Sequence, residues 1–179
     1  MSPTETLFEG QYLRLLRRGR WEYVSRQRIT GIVAIAGLTR DDQLVLIEQF
    51  RAPLGRRVVE LPAGLAGDVP GEEHEPLEAA AQRELLEETG FSAERFERVA
   101  DLPSSAGLTS ETVTLFVATD LRRAGEGGGD GTEDITTHLV PWDDVDPFIA
   151  AKVAEGCLVD AKLYVALWML SRRREGKRP

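Results

Sequence analysis

Residues 75–91 read Glu-Pro-Leu-Glu-Ala-Ala-Ala-Gln-Arg-Glu-Leu-Leu-Glu-Glu-Thr-Gly-Phe, and the last nine of them, Arg83 to Phe91, decide the fold. The alanine, leucine and glutamate content favours helix, Pro76 suits a first helical position, and Gly90 stands where a C-terminal cap is expected. At about 100° per residue, offsets of three and four return to the same face, so Glu84, Glu87 and Glu88 point one way. Like charges at such spacings cost a helix about 0.2–0.5 kcal/mol per pair, and Glu87 and Glu88 also sit near the negative end of the helix dipole. Either this is an ordinary solvated acidic face, or a hard divalent cation offsets the repulsion. Magnesium prefers such oxygens and keeps waters that bridge to phosphates.

The chain around this helix has 179 residues, 42% of them hydrophobic, which suits one domain, or one domain with a small appendage, around a genuine core. A formal charge of −8 argues against nucleic acid or an anionic membrane as the main partner, since both need concentrated positive charge. An anionic substrate then needs a local metal or arginine cluster. The longest hydrophobic run, Leu163 to Leu170, is too short to span a bilayer, and no apolar segment opens the chain, so the cytoplasm is the expected location. Cys157 is the single cysteine and permits no intrachain disulfide; without a His or Cys cluster, a zinc site is not expected.

Residues 11–18 and 20–27 read as two strands joined at Gly19, an N-terminal hairpin. Further strands are expected at 31–38, 43–50, 58–61, 96–102, 112–119 and 135–140, with the Leu61-Pro62-Ala63-Gly64 break and a Pro, Gly and acid-rich loop at 67–75 leading to the glutamate helix. The glycines of 124–131 (AGEGGGDG) predict mobility there. The C-terminal part reads as a helix over 142–155, a break at Gly156 and a second helix over 158–174, whose Leu163, Ala166, Leu167 and Leu170 form an apolar stripe for core or subunit contact.

Arg83-Glu84-Leu85-Leu86-Glu87-Glu88-Thr89-Gly90-Phe91 resembles the C-terminal part of the Nudix hydrolase motif, and Glu75 precedes Arg83 with the required seven residues between them. The motif's first glycine is out of register: position 69 is Val, and Gly64 is the best counterpart, which implies about five extra residues before Glu75. Loop closure cost grows slowly with length, so the metal helix tolerates this expansion. The resemblance extends over most of the chain and points to the ADP-ribose pyrophosphatase-like branch. It includes Glu48-Gln49-Phe50-Arg51-Ala52-Pro53, Glu60-Leu61-Pro62-Ala63-Gly64, Trp21-Glu22-Tyr23-Val24 and Gly156 to Lys162 (GCLVDAK). One position departs from that branch: Ala106 stands where a Pro-Gly pair commonly shapes substrate choice, which leaves the particular nucleoside diphosphate derivative open.

This resemblance implies an α/β fold, a Nudix α/β/α sandwich with a mixed sheet over 31–179, and an N-terminal antiparallel extension over 1–30 that pairs two subunits as a homodimer. It implies Mg²⁺, or Mn²⁺, held by Glu84 and Glu88 directly, by Glu87 directly or through water, and by the Ala63 carbonyl, with Arg83 orienting the carboxylates. The reaction implied is attack of water on a pyrophosphate of ADP-ribose or a related nucleoside diphosphate sugar; coenzyme A, an oxidised nucleotide, or binding without turnover are the alternatives. Glu133 is the first candidate for the base, followed by Glu126 and Glu111. Arg51 and Arg56 suit phosphate or a terminal ribose, because guanidinium matches oxyanions. Trp21 offers a face for adenine or else a core or dimer contact. Glu60 falls in the binding segment, where it holds either the Leu-Pro-Ala-Gly turn or an arginine; His74 and His138 have no partner pattern.

Overall fold

Side-chain alternation along the central strands divides the apolar residues between two faces of one sheet, and that division sets the architecture. The computed structural model describes residues 2–129 and 134–177. The chain opens with β1 (Thr4–Glu9), β2 (Leu13–Arg18) and β3 (Trp21–Arg26), then β4 (Gly31–Thr39), β5 (Gln43–Arg51), β6 (Arg56–Glu60) and β7 (Ala63–Ala66). Helix α1 (Leu77–Thr89) precedes β8 (Phe91–Ser92), β9 (Arg95–Pro103), β10 (Thr112–Arg123) and β11 (Ile135–Pro141). A 3-10 turn (Trp142–Asp144), α2 (Val145–Ala154), β12 (Leu158–Val159) and α3 (Ala161–Arg174) close the chain.

Nine strands form the main sheet, with the path β12-β6-β5-β4-β10-β8 and with β7, β9 and β11 paired to β4, β10 and β5. It is mixed: β4 runs parallel to β10 and β6 parallel to β12, while β5 is antiparallel to β4, β6 and β11. Val33, Ile35, Val45, Phe116 and Ala118 face α1, whose Ala80, Ala81 and Leu85 are fully buried against them. Ala34, Ala36, Leu44, Leu46, Leu115 and Val117 face the other way, onto Val145 and Ile149 of α2 and Leu163, Ala166 and Leu170 of α3. The expected α/β/α sandwich is therefore present. The α3 stripe lies in the core, and its Leu167 is partly buried beside it.

Several details differ from the sequence reading, the first being that the break expected at 61–64 gives way at Ala63 to β7, which pairs with β4. The N-terminal extension is a three-stranded antiparallel sheet rather than a hairpin, because Thr4–Glu9 pairs with β2; its two apolar residues are adjacent, so no alternation announces it. Pro76 is the N-cap in extended conformation (φ −63°, ψ 143°), and the helix starts one residue later. Residues 142–144 form a 3-10 turn ahead of α2. Leu158 and Val159 pair in parallel with Val58 and Val59, so the last helix begins only after Asp160, whose carboxylate caps it by accepting from the Lys162 N–H at 2.7 Å. The extension docks on the loop before β10: Val24 N–H donates to the Leu108 carbonyl and Ser110 N–H to that of Val24.

Candidate active site

Gly90, in the left-handed region at φ 72°, ends α1 and donates its N–H to Leu86. Residues 124–129, expected to be mobile, pack onto that helix end. The N–H groups of Ala124 and Gly125 donate to the Gly90 carbonyl, that of Gly128 to Glu88, and that of Gly129 to Glu87. These carbonyls lack partners inside the helix, so the loop supplies them. Only glycine fits at this contact: a Cβ on Gly127, at φ 77°, would stand 2.5 Å from the Thr89 carbonyl carbon.

Arg83 organises the acidic face. Its Nε and one terminal nitrogen donate to the two oxygens of Glu75, both at 3.0 Å, and that nitrogen also donates to the Leu65 carbonyl at 2.9 Å. The other terminal nitrogen donates to Glu84 at 2.8 Å and Glu87 at 3.1 Å. The guanidinium holds the buried Glu75 carboxyl below its usual range, against the opposing effect of burial. Glu84 behaves in the opposite way: burial pushes its pKa up to about 7 in spite of Arg83, and Glu87 and Asp68 add to the rise. Its carboxyl lies over Gly64, where an added Cβ would stand 1.9 Å from the carboxyl carbon, so the glycine is a floor for that group. Glu88, 3% exposed, accepts from the Ala63 N–H at 2.9 Å.

Glu84, Glu88, Ala63 and Gly64 line one end of a cleft of about 560 Å³ that also takes in Asp68, Arg26, Glu111, Arg51, Glu60, Asp160 and Lys162. Arg51 is committed to Glu60, with nitrogen–oxygen distances of 2.6 and 3.0 Å, so Glu60 holds an arginine. Glu87 sits outside the lining, with a half-exposed side chain. Arg56 and Trp21 are exposed and do not line the cleft of their own chain. Of the three base candidates, Glu111 lines the cleft and is paired with Arg26 at 2.5 Å. Glu126 is exposed beside the end of α1, and Glu133 lies outside the described residues. Sequence reasoning missed Arg26, Asp68, Asp160 and Lys162, since the first reaches the cleft from the extension and the last two through the β6–β12 pairing.

Among the described residues, no three His, Cys, Asp or Glu side chains converge closely enough to hold a metal ion as they stand. Arg83 holds Glu84 and Glu87, and Glu88 is turned to the Ala63 amide. The donor chemistry nevertheless fits a hard divalent cation. Glu84 is a desolvated carboxyl whose charge the protein alone stabilises poorly, and a second buried carboxylate lies one helical turn away. His138, for which the sequence offered no partner, contacts Glu48 at 3.2 Å on the other face of the sheet. There burial raises the Glu48 carboxyl, but Lys152, Arg57 and His138 outweigh it and hold the group low.

The NUDIX domain family model matches residues 28–159, most of the chain. A methanol dehydrogenase activator from Bacillus methanolicus is 30% identical over 174 residues, covering 93% of this chain and 89% of that protein. The ADP-sugar pyrophosphatase of Mus musculus is 32% identical over 172 residues, covering 92% of this chain and 74% of its own length. A solved structure of an ADP compounds hydrolase superposes with a TM-score of 0.61 at 23% identity, covering 80% of each chain, which is a likeness of fold. The chain belongs to the Nudix hydrolase family, whose members generally use divalent metal ions. No helix among the described residues is long and apolar enough to cross a membrane.

Proposed function

We propose that the chain hydrolyses the pyrophosphate linkage of ADP-ribose or a related nucleoside diphosphate sugar, giving a nucleoside monophosphate and a sugar phosphate, with Mg²⁺ or Mn²⁺ as the cation. The observation that carries this reading is the desolvated Glu84 over Gly64, beside buried Glu88, at one end of a cleft of small-ligand size. Glu84 and Glu88 would hold the cation directly, with Glu87 and the Ala63 carbonyl as further donors. Such a cation offsets charge on phosphoryl oxygens and lowers the pKa of water. Arg83 orients the carboxylates through its bonds to Glu75, Glu84 and Glu87. Glu133 and Glu111 are the candidates for positioning the attacking water, and Arg51 faces the substrate from its pair with Glu60.

The extension would pair two copies as a homodimer, since Phe8, Tyr12, Leu13 and Trp21 are all exposed large apolar residues within it. The second copy is also the route by which Trp21 could approach a base. A nucleotide-consuming enzyme with one cysteine fits the cytoplasm. The test is chromatography of the products from a panel of nucleoside diphosphate sugars, coenzyme A and oxidised nucleotides, with and without magnesium. Glu84→Gln and Glu88→Gln should each remove most activity. Wild-type rates from both variants, or tight binding without turnover, would overturn the reading.

A further inference from the structure

The cleft is chemically lopsided. At the α1 end stand three carboxylates, Asp68, Glu84 and Glu88, and Arg83 is paired with the first two of them. At the other end the described side chains form two adjacent ion pairs. Arg51 binds Glu60, and the Lys162 ammonium binds the Asp160 carboxylate at 2.6 Å. The parallel pairing of β12 with β6 aligns Val159 with Val59, and Asp160 N–H donates to the Val59 carbonyl at 3.0 Å. Asp160 is thereby carried beside Glu60, so the pairs are neighbours by register. Pro53 and Leu54, the latter 56% exposed on the β5–β6 turn, supply apolar surface at the same end.

We propose that Lys162 and Asp160 form, with the Arg51–Glu60 pair, the subsite for the uncharged polyhydroxylated sugar of the substrate. This rests on the nucleoside diphosphate sugar reading above. A phosphate placed here would meet two carboxylates as well as two cations. A hydroxyl both donates and accepts, so adjacent donor and acceptor side chains of opposite charge satisfy it without net charge. The C–H face of a sugar ring packs on Leu54 and Pro53. Lys162 and Asp160 are therefore specificity residues, while phosphate chemistry stays at the α1 end.

Binding measured by calorimetry in magnesium tests this independently of turnover, with the non-hydrolysable α,β-methylene analogues of ADP-ribose and of ADP. Lys162→Met, which keeps the aliphatic stem, should weaken the ADP-ribose analogue about tenfold, as loss of a charged hydrogen bond does, and leave the ADP analogue unchanged. Asp160→Asn, which retains a good N-cap, should act in the same direction, and Lys162→Arg should restore most of the loss. Removing a ribose hydroxyl from the ligand should cost wild type more than Lys162→Met. Equal losses on both analogues, or none on either, would overturn the subsite. Failure of hydrolysis with this binding pattern intact would instead overturn only the catalytic reading.

Discussion

Glu84 is the residue where folding and the proposed chemistry pull apart. Its folded pKa of about 7 lies above the ordinary carboxyl value of 4.5, so the folded state holds more protons between those values. Stability therefore falls as pH rises through that window and stays lowered above it, by on the order of 3 kcal/mol. Glu84→Gln, in EDTA near pH 8, should raise the urea midpoint while removing hydrolysis; a variant less stable than wild type would count against the desolvated carboxyl. Gly64→Ala addresses the same contact from below. The atoms its Cβ meets are the end of a side chain, which can swing away, so the melting temperature should change little. Activity should fall about 100-fold, because displacements of about an ångström at a reacting centre have that effect. Both residues were legible in sequence, one through helical spacing and one through the Glu-Leu-Pro-Ala-Gly segment. Their contact was not, since it joins positions twenty residues apart on a strand and a helix.

At the scale of the element, α1 is held at both ends by segments outside it. Arg83 ties it to Glu75 and to the Leu65 carbonyl, and the 124–129 loop covers its last carbonyls. The spacing in 75–91 made the helix and its acidic face readable. It could not disclose that a glycine-rich loop would dock rather than wave, because docking depends on carbonyls that only the finished helix presents. Gly127→Ala should therefore destabilise the protein by about 1–3 kcal/mol, since its Cβ meets backbone that cannot rotate away and its φ is positive. Equilibrium urea unfolding measures this, and an unchanged midpoint would show that the loop does not bear on α1. The short pairing of β12 with β6 was likewise hidden inside an expected helix, as two residues carry too little pattern to announce a strand.

For the whole molecule, opposing carboxyls set the pH profile. Glu75 and Glu48 are held below their ordinary value, so their contribution is present above about pH 4.5 and is lost as pH falls through their folded values. Glu84 acts in the reverse sense, its penalty growing up to about pH 7. Metal-free protein should be most stable on the acid side of neutrality. Magnesium, which requires the carboxylate, should move that optimum upward, with a larger rise in melting temperature near pH 8 than near pH 5.5. A magnesium effect independent of pH would remove Glu84 from the ligand set. Light scattering should return twice the mass of the 179-residue chain; a monomer would leave the apolar residues of the extension without the proposed partner. The sequence by itself determined the helix and its carboxylates, because spacing is local, while the sandwich followed from the resemblance carried by its contiguous motif. Only the tertiary structure decided which groups meet in the cleft. Glu84 over Gly64, Glu111 with Arg26, and Asp160 beside Glu60 each join separate segments through sheet register and burial, which no local pattern records.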